Sequence, residues 1–427
     1  MTEADLTALL REHASRHAVP GAAIGILHDG AVTTAYCGVA DVKSGKPVTS
    51  ETRFSVGSLT KSMVATVIAR LAGEGRLSLD DPAAAHVPEL RGSGWAARAT
   101  LRGLLANRSG LPLRAELEFS GLEGGSDDVL SRFASMVAAA EPTKVAWSYA
   151  NAGWCLLGRA IETATGRRWE DAMSSYLFEP LQMARTTFAN RPLAEARAAG
   201  HELAVGGPSP VEPWAPRCFG PAGSTVLSTV DDLLRLASLH LTDPALASLR
   251  ASHAEPRIHG WLDGWCLGWA RFDWRGGPVW GWDGVLSGQR AVLRLVPDQR
   301  AAVALLTNGS TGRPMYRSLF AELLETSFGV HVLPLMLDSS PAAAGDLSRY
   351  AGLYAWPDRQ VEVVVSTSGL LLKSELGDIE ALPVDERIFL VDAMDPDNPT
   401  VTFGAFDADE QPQVLYRMLW GLPRVVG

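Results

Sequence analysis

The sequence has little of what marks secreted, membrane-spanning or nucleic-acid-binding proteins. Its first six residues include Glu3 and Asp5, where a secretory signal carries basic residues, and no apolar signal core follows them. No run of about 18 uncharged apolar residues occurs, which excludes a membrane-spanning helix on length. We therefore expect a cytoplasmic protein with no membrane partner.

An excess of basic residues is also missing. The chain has 38 Lys and Arg against 48 Asp and Glu, a formal net charge of −10. Such a balance gives no overall field that would draw the protein onto a phosphate backbone, so nucleic acid is not expected as a partner.

Cysteine is scarce as well. The four cysteines lie far apart, with no C-x-x-C pair and no histidine at metal spacing beside them: Cys37, Cys155, Cys218 and Cys266. We expect free and mostly buried thiols, and neither a metal nor another cofactor.

What is present is the composition of an ordinary folded protein, with 47% hydrophobic and 20% charged residues over 427 positions. The pattern predicts a helix at 4–17, a β-hairpin of strands 21–27 and 31–39 around an Asp-Gly turn, and a helix from 58 to 75. A helix-rich stretch follows to about residue 240.

The second half alternates short aromatic and branched runs with glycine turns, which predicts an antiparallel sheet. The predicted strands are 265–269, 279–282, 291–295 and 302–308. A helix at 312–328 closes the unit. The fold class is therefore α/β, with an antiparallel sheet flanked by helices and a helical subdomain.

A change in periodicity near residue 340 predicts a second domain. Residues 338–345 have the composition of a linker, and only strand patterns follow them. These predicted strands are 359–366, 369–374, 388–392, 400–406 and 413–419. The predicted domains are 1–337 and 346–427, the second a small all-β barrel or sandwich.

Ser58 and Lys61 stand at the start of the predicted helix, after the stretch Phe54-Ser55-Val56-Gly57. Residues three apart share a helix face, so the Lys61 amine can approach the Ser58 hydroxyl and activate it as a nucleophile. Taken alone, the S-x-x-K pattern is weak evidence, because a serine near the start of a helix is usually only a cap.

Two further pieces carry candidate chemistry. In Ser148-Tyr149-Ala150-Asn151, the phenol can relay a proton and the Asn151 amide can hold Lys61 and a substrate carbonyl. In Trp282-Asp283-Gly284, the glycine lets substrate approach a strand edge. The alternatives are a core tyrosine beside a turn asparagine, and an aromatic strand residue before a turn.

These pieces, in this order, resemble the superfamily of serine β-lactamases, penicillin-binding proteins and related carboxylesterases, whose signature is S-x-x-K, Y-x-N and a K-T-G-like triplet. The similarity covers about residues 5–330 and includes further stretches. These are 71–82, 104–112, 222–224 with 227–229, and 281–288 leading to 305–308. The tail from about 346 resembles the lipocalin-like domain that some members append.

The resemblance implies a role for each matching residue. Ser58 would be the acylated nucleophile, Lys61 its activating partner and Tyr149 the general base and acid. Asn151 would position Lys61 and substrate, and the backbone N–H groups of Ser58 and Val285 would form the oxyanion hole. The substrate-binding set is completed by the triplet Trp282, Asp283 and Gly284.

Two positions depart from the pattern of the superfamily. Trp282 stands where β-lactamases have Lys and many peptidase-like members have His, so a cation for a substrate carboxylate is missing. Tryptophan there resembles the carboxylesterases. Asn107 stands where many relatives have His.

The leading hypothesis is a cytoplasmic carboxylesterase-like hydrolase of small esters, with weak β-lactam hydrolysis as a side activity. The expected partner is a small-molecule ester, amide or lactam substrate. A second is an amidase, a D-amino-acid peptidase, or a penicillin-binding-protein-type thioesterase that transfers an acyl chain to an amine. A third is an inactive scaffold or ligand-sensing module, although Ser58, Lys61 and Tyr149 are all present.

Overall fold

A seven-stranded antiparallel sheet forms the centre of the N-terminal region. The computed structural model describes residues 1–111, 122, 127–143, 145–191, 197–251, 256–334, 345–356, 359–391 and 399–425. The strands of this region are β1 (Gly21–His28), β2 (Ala31–Gly38), β3 (Phe54–Ser55), β4 (Thr187–Phe188), β5 (His201–Ala204), β6 (Gly207–Pro210), β7 (Val226–Ser228), β8 (Gly264–Trp265), β9 (Ala270–Phe272), β10 (Val279–Leu286), β11 (Gln289–Val296) and β12 (Ala301–Thr307). The large sheet has the order β2-β1-β12-β11-β10-β9-β8. Its first strand in sequence, β1, therefore pairs with its last, β12.

Helices cover both faces of this sheet. They are α1 (Glu3–Arg16), α2 (Thr60–Gly73), α3 (Ala83–His86), α4 (Leu101–Leu105), α5 (Val129–Val137), α6 (Asn151–Thr165), α7 (Trp169–Met173), α8 (Val230–Thr242) and α9 (Gly312–Phe328). The strand register puts Gly25 and Trp282 on one face, where Leu234 of α8 packs against Gly25. Arg294 lies on the other face, with its guanidinium 5.7 Å from the ring of Tyr316 in α9.

The C-terminal residues form an eight-stranded antiparallel sheet that is nearly closed into a barrel. Its strands are β13 (Gly352–Trp356), β14 (Arg359–Val365), β15 (Leu370–Ser374), β16 (Gly377–Pro383), β17 (Ile388–Val391), β18 (Thr400–Phe406), β19 (Pro412–Arg417) and β20 (Trp420–Pro423). A bridge between Tyr354 and Arg424 brings the first and last edges together. Aromatic side chains fill the interior, among them Tyr350, Tyr354, Phe389 and Phe403.

The hairpin of β19 and β20 contributes Leu415 and Leu422 to the barrel core, and its other side packs into the core of the N-terminal region. Tyr416 and Leu419 belong to the hydrophobic core of the N-terminal region, and the ring of Tyr416 lies 6.1 Å from that of Trp147. The barrel is thus joined to the N-terminal region through one of its hairpins.

The α/β class, the antiparallel sheet and the C-terminal barrel are confirmed. The hairpin at Asp29 and Gly30 has both residues at positive φ, and α9 has the predicted bounds of 312–328. The predicted linker 338–345 lies outside the described residues except for Gly345, and the domain boundary stays a prediction. All four cysteines are buried thiols.

Some predicted elements were wrong in detail. Residues 265–269 are not one strand. Trp265 ends β8, and 266–269 form the turn to β9, because Gly268 adopts a φ of +83° and Cys266 N donates to Trp269 O at 2.8 Å. The helix predicted from 58 begins as an α-helix at Thr60, after a short 3₁₀ turn over Gly57–Leu59. In the barrel, β13, β16 and β20 were missed. No described helix is both long enough and apolar enough to cross a membrane.

Candidate active site

Ser58 and Lys61 meet at the junction of the 3₁₀ turn and α2. The Lys61 side chain is fully buried and its Nζ lies 3.1 Å from Ser58 Oγ. The same Nζ donates to Asn151 Oδ1 and to the backbone oxygen of Ala222, both at 2.6 Å. Three oxygen atoms therefore surround the amine, one from each of three separate chain segments.

Tyr149 lies against this group from the segment that precedes α6. The Lys61 Nζ is 4.9 Å from the centre of the Tyr149 ring, and the tyrosine is buried. Its phenol oxygen accepts a hydrogen bond from Trp282 Nε1 at 3.3 Å. The rings of Trp265 and Trp282 pack on the phenol at 5.9 Å and 5.5 Å between centres. The structure thus brings the predicted serine, lysine and tyrosine together, with Asn151.

Close packing of glycine brings two backbone N–H groups beside each other. A Cβ on Gly57 would lie 2.6 Å from Val285 N, and one on Gly284 would lie 3.0 Å from Ser58 N and 1.8 Å from Val56 O. Gly57 also adopts a φ of +51°, which glycine accepts without steric cost. Because no side chain separates β10 from the 3₁₀ turn, the N–H groups of Ser58 and Val285 are neighbours, as two donors to one oxyanion must be.

Asp283 points away from this group. Strand residues alternate between faces, so Asp283 lies opposite Trp282, and its carboxylate is 2.7 Å from Nη2 of Arg294, which is buried. Burial opposes ionisation of this carboxyl, yet the positive charges of Arg294 and then Arg290 lower its pKa. The Asp283 side chain pairs with Arg294 on the face of β10 that lies away from Tyr149. Trp282 is the triplet residue that contacts Tyr149.

Asn107 holds the tyrosine segment from one side, a contact that sequence reasoning missed. It adopts a φ of +53°, which asparagine tolerates better than most residues. Its side-chain oxygen accepts from Trp154 Nε1 at 3.1 Å and lies 3.5 Å from Ala150 N. Its backbone oxygen accepts from Ser148 N at 3.1 Å. The departure from histidine at this position was the only signal in the sequence.

The barrel holds the same segment from the other side. Tyr149 N donates to Leu419 O at 3.1 Å, and Gly421 N donates to Ser148 Oγ at 3.3 Å. Sequence reasoning missed this contact too, because nothing in either local pattern links positions about 270 residues apart.

A serine at the head of a helix, with an amine one turn later and a phenol beside it, is the arrangement of the hydrolases that act through S-x-x-K. The sequence model of the family described as Beta-lactamase matches residues 6–327. The chain belongs to this family, which makes it a serine hydrolase of the β-lactamase and penicillin-binding-protein type.

Individual relatives agree with this assignment. Penicillin-binding protein 4 of Amycolatopsis lactamdurans is 32% identical over 363 residues, which cover 80% of this chain and 94% of the relative. A β-lactamase of Escherichia coli (strain K12) is 26% identical over 330 residues, 74% of this chain and 84% of the relative.

Solved structures of a similar protein match nearly the whole length of the chain, barrel included. The crystal structure of SurE is 29% identical, superposes with a TM-score of 0.81 and covers 99% of both chains. SurE with D-Leu matches with a TM-score of 0.78 at 28% identity, again over 99% of both chains.

Proposed function

We propose that the chain is a carboxylesterase-like hydrolase that cleaves ester bonds through an acyl-enzyme on Ser58. The observation that carries the proposal is the surroundings of Lys61 Nζ. Two of its neighbours, Asn151 Oδ1 and Ala222 O, can only accept hydrogen bonds. When the amine is neutral, its lone pair is available to Ser58 Oγ, which lies 3.1 Å from Nζ, and takes the hydroxyl proton as the oxygen attacks.

The remaining groups account for the other charges and protons. As the bond from Ser58 Oγ to the carbonyl carbon forms, the carbonyl electron pair moves onto oxygen and is stabilised by the N–H groups of Ser58 and Val285. Tyr149, packed on the Lys61 amine, delivers a proton to the leaving oxygen as its bond to carbon breaks. Water then attacks the acyl-enzyme by the reverse sequence, and Ser58 regains its proton.

Trp282 supports uncharged esters as the substrates. The indole N–H is a neutral donor and is already directed at Tyr149, and the ring is buried against Trp265. A triplet that begins with lysine would instead present a cation to a substrate carboxylate. The wall beside the phenol is therefore apolar and neutral.

Hydrolysis of p-nitrophenyl acetate and butyrate tests the proposal. Ser58→Ala and Lys61→Met are expected to lose about 10³-fold or more of kcat/KM. Lys46→Met, at an exposed lysine, is the matched control and should keep the wild-type rate. Equal rates for the wild type and Ser58→Ala would overturn the proposal.

A second candidate is aminolysis or hydrolysis of an acyl group next to a D-amino acid. It is supported by the full-length similarity to SurE, which was solved with D-Leu. With D-leucinamide added to the ester assay, this candidate predicts a new amide product by mass spectrometry. The carboxylic acid as sole product of the ester, with no D-leucine released from the D-leucinamide, would remove it.

A further inference from the structure

One end of the barrel adjoins the segment that carries Tyr149. In the hairpin of β19 and β20, Leu419 O in the turn accepts from Tyr149 N, and Gly421 N in β20 donates to Ser148 Oγ. The approach is close, because a Cβ on Gly421 would lie 2.8 Å from Trp147 O. The β15–β16 hairpin turns at this same end of the antiparallel barrel, where β13 also ends and β14 begins.

A cavity of about 410 Å³ opens at this end, between the hairpin turns and Ser148. Its volume is within the usual range for small-molecule sites. The walls are largely aromatic and aliphatic, formed in part by Trp356, Val361, Leu376, Met418 and Trp420. The barrel interior is filled by its own side chains, so this space lies at the mouth and not inside the barrel.

Leu376 forms a solvent-exposed apolar edge of the cavity. It lies at the tip of the β15–β16 hairpin and is 88% exposed, although it lines the cavity. Leucine at a hairpin tip gains nothing from water, whereas an apolar group seated in the cavity would cover it. Across the cavity, the Arg359 guanidinium lies 5.8 Å from the centre of the Trp420 ring, so this wall is aromatic and carries one cation.

The position of the cavity decides which part of a substrate it would hold. The oxyanion donors belong to Ser58 and to Val285 on β10, whereas the cavity shares Ser148 with the tyrosine segment. Under the proposed function, on which this inference rests, Tyr149 protonates the leaving group. The cavity therefore adjoins the segment that carries the proton donor to the leaving group.

We propose that the barrel mouth is a leaving-group subsite that binds an aromatic or branched alkyl alcohol or amine. The reverse reaction uses the same side, so an apolar amine seated there is the acceptor that attacks the acyl-enzyme. The amine nitrogen bonds to the acyl carbon, the bond from carbon to Ser58 Oγ breaks, and the amine proton returns to Ser58 Oγ through Tyr149.

Two esters of one acid, a benzyl and a methyl ester, test the subsite. They give the same acyl-enzyme, so kcat/KM reports the leaving group while deacylation is shared. Leu376→Asp, which charges the exposed edge, and Gln360→Trp, which fills the mouth, should lower kcat/KM for the benzyl ester about tenfold and leave the methyl ester unchanged. Val365→Asp, at an exposed valine at the other end of β14, is the matched control and should change neither.

Added benzylamine and methylamine test the acceptor side. Wild type should form more benzylamide than methylamide, and Leu376→Asp should remove that preference. The subsite is overturned if both variants change the two esters equally or not at all, or if they change selectivity between acyl groups instead. Failure of the proposed function looks different, since neither ester would then show Ser58-dependent turnover.

Discussion

The indole Nε1 of Trp282 donates to the phenol oxygen of Tyr149 at 3.3 Å, across 133 residues of sequence. Trp282, the first residue of the third motif, therefore uses its hydrogen-bond donor on Tyr149 and not on a substrate carboxylate. It orients the phenol with a neutral donor inside a cluster of three aromatic rings.

Trp282→Phe should lower kcat about three- to tenfold with little change in KM, because it keeps a packed ring and removes one hydrogen bond. Steady-state kinetics on p-nitrophenyl butyrate measure this. Trp280→Phe is the control on the same strand, since the Trp280 indole donates to Arg250 O at 3.1 Å, away from Tyr149. If both variants lose the same activity, the hydrogen bond has no special role.

Asn107 should stabilise the protein in two ways, as the acceptor for the Trp154 indole and as a residue that tolerates a positive φ. Two variants separate these effects. Asn107→Gly keeps the left-handed backbone but leaves the buried Trp154 indole without its acceptor, a loss of about 1–3 kcal/mol in the free energy of unfolding. Asn107→Ala adds about 1 kcal/mol of backbone strain. Urea unfolding measures both, and kcat should fall in both as the Tyr149 segment shifts. Equal stability of the two variants would contradict the strain.

Gly284→Ala should remove about 10²- to 10³-fold of kcat, because its Cβ would meet Val56 O at 1.8 Å and separate the two oxyanion donors. Gly73→Ala, where a Cβ meets nothing within 4 Å, is the matched control and should be fully active. Circular dichroism would verify that both variants fold. A folded and fully active Gly284→Ala would contradict the assignment of Val285 N–H to the oxyanion hole.

His240 should make the protein less stable in mild acid. Its ring is fully buried, with Nε2 2.8 Å from Thr66 Oγ1, and burial, followed by the charges of Arg250 and Arg70, lowers its pKa to about 3. The unfolded chain binds the proton near pH 6.5, so this contribution is complete above that pH and is lost as pH falls toward 3.

Between pH 7 and pH 5 the loss from this group amounts to about 2 kcal/mol in the free energy of unfolding. His240→Gln removes the titrating group, and its unfolding free energy should fall by that much less over the same interval. Parallel urea titrations at the two pH values measure the difference. An identical pH dependence in the two proteins would contradict a neutral His240.

Local pattern was enough to predict the chemistry that is local in sequence. Ser58 and Lys61 are three residues apart, so helical geometry alone brings them together, even though Ser58 lies in a 3₁₀ turn and not in α2 itself. The hairpin at Asp29 and Gly30 and the helix α9 were likewise set by turn chemistry and periodicity.

What the sequence could not predict depends on contacts between distant segments. The two partners that hold the Tyr149 segment, Asn107 and Leu419, precede and follow it by tens to hundreds of residues. Strand β16, with exposed acidic and glycine residues, has too little alternation to be recognised, and its pairing with β15 and β17 forms it. The turn at Gly268 interrupted a predicted strand for the same reason, since an apolar run does not reveal its own positive φ.

Intact-mass analysis after brief exposure to p-nitrophenyl butyrate tests the central claim most directly. The account predicts one added butyryl group per chain, located on Ser58 by peptide mapping. The group should be absent in Ser58→Ala. It should accumulate further in Tyr149→Phe if that variant slows deacylation more than acylation. A butyryl group on another residue, or turnover that persists in Ser58→Ala, would contradict it.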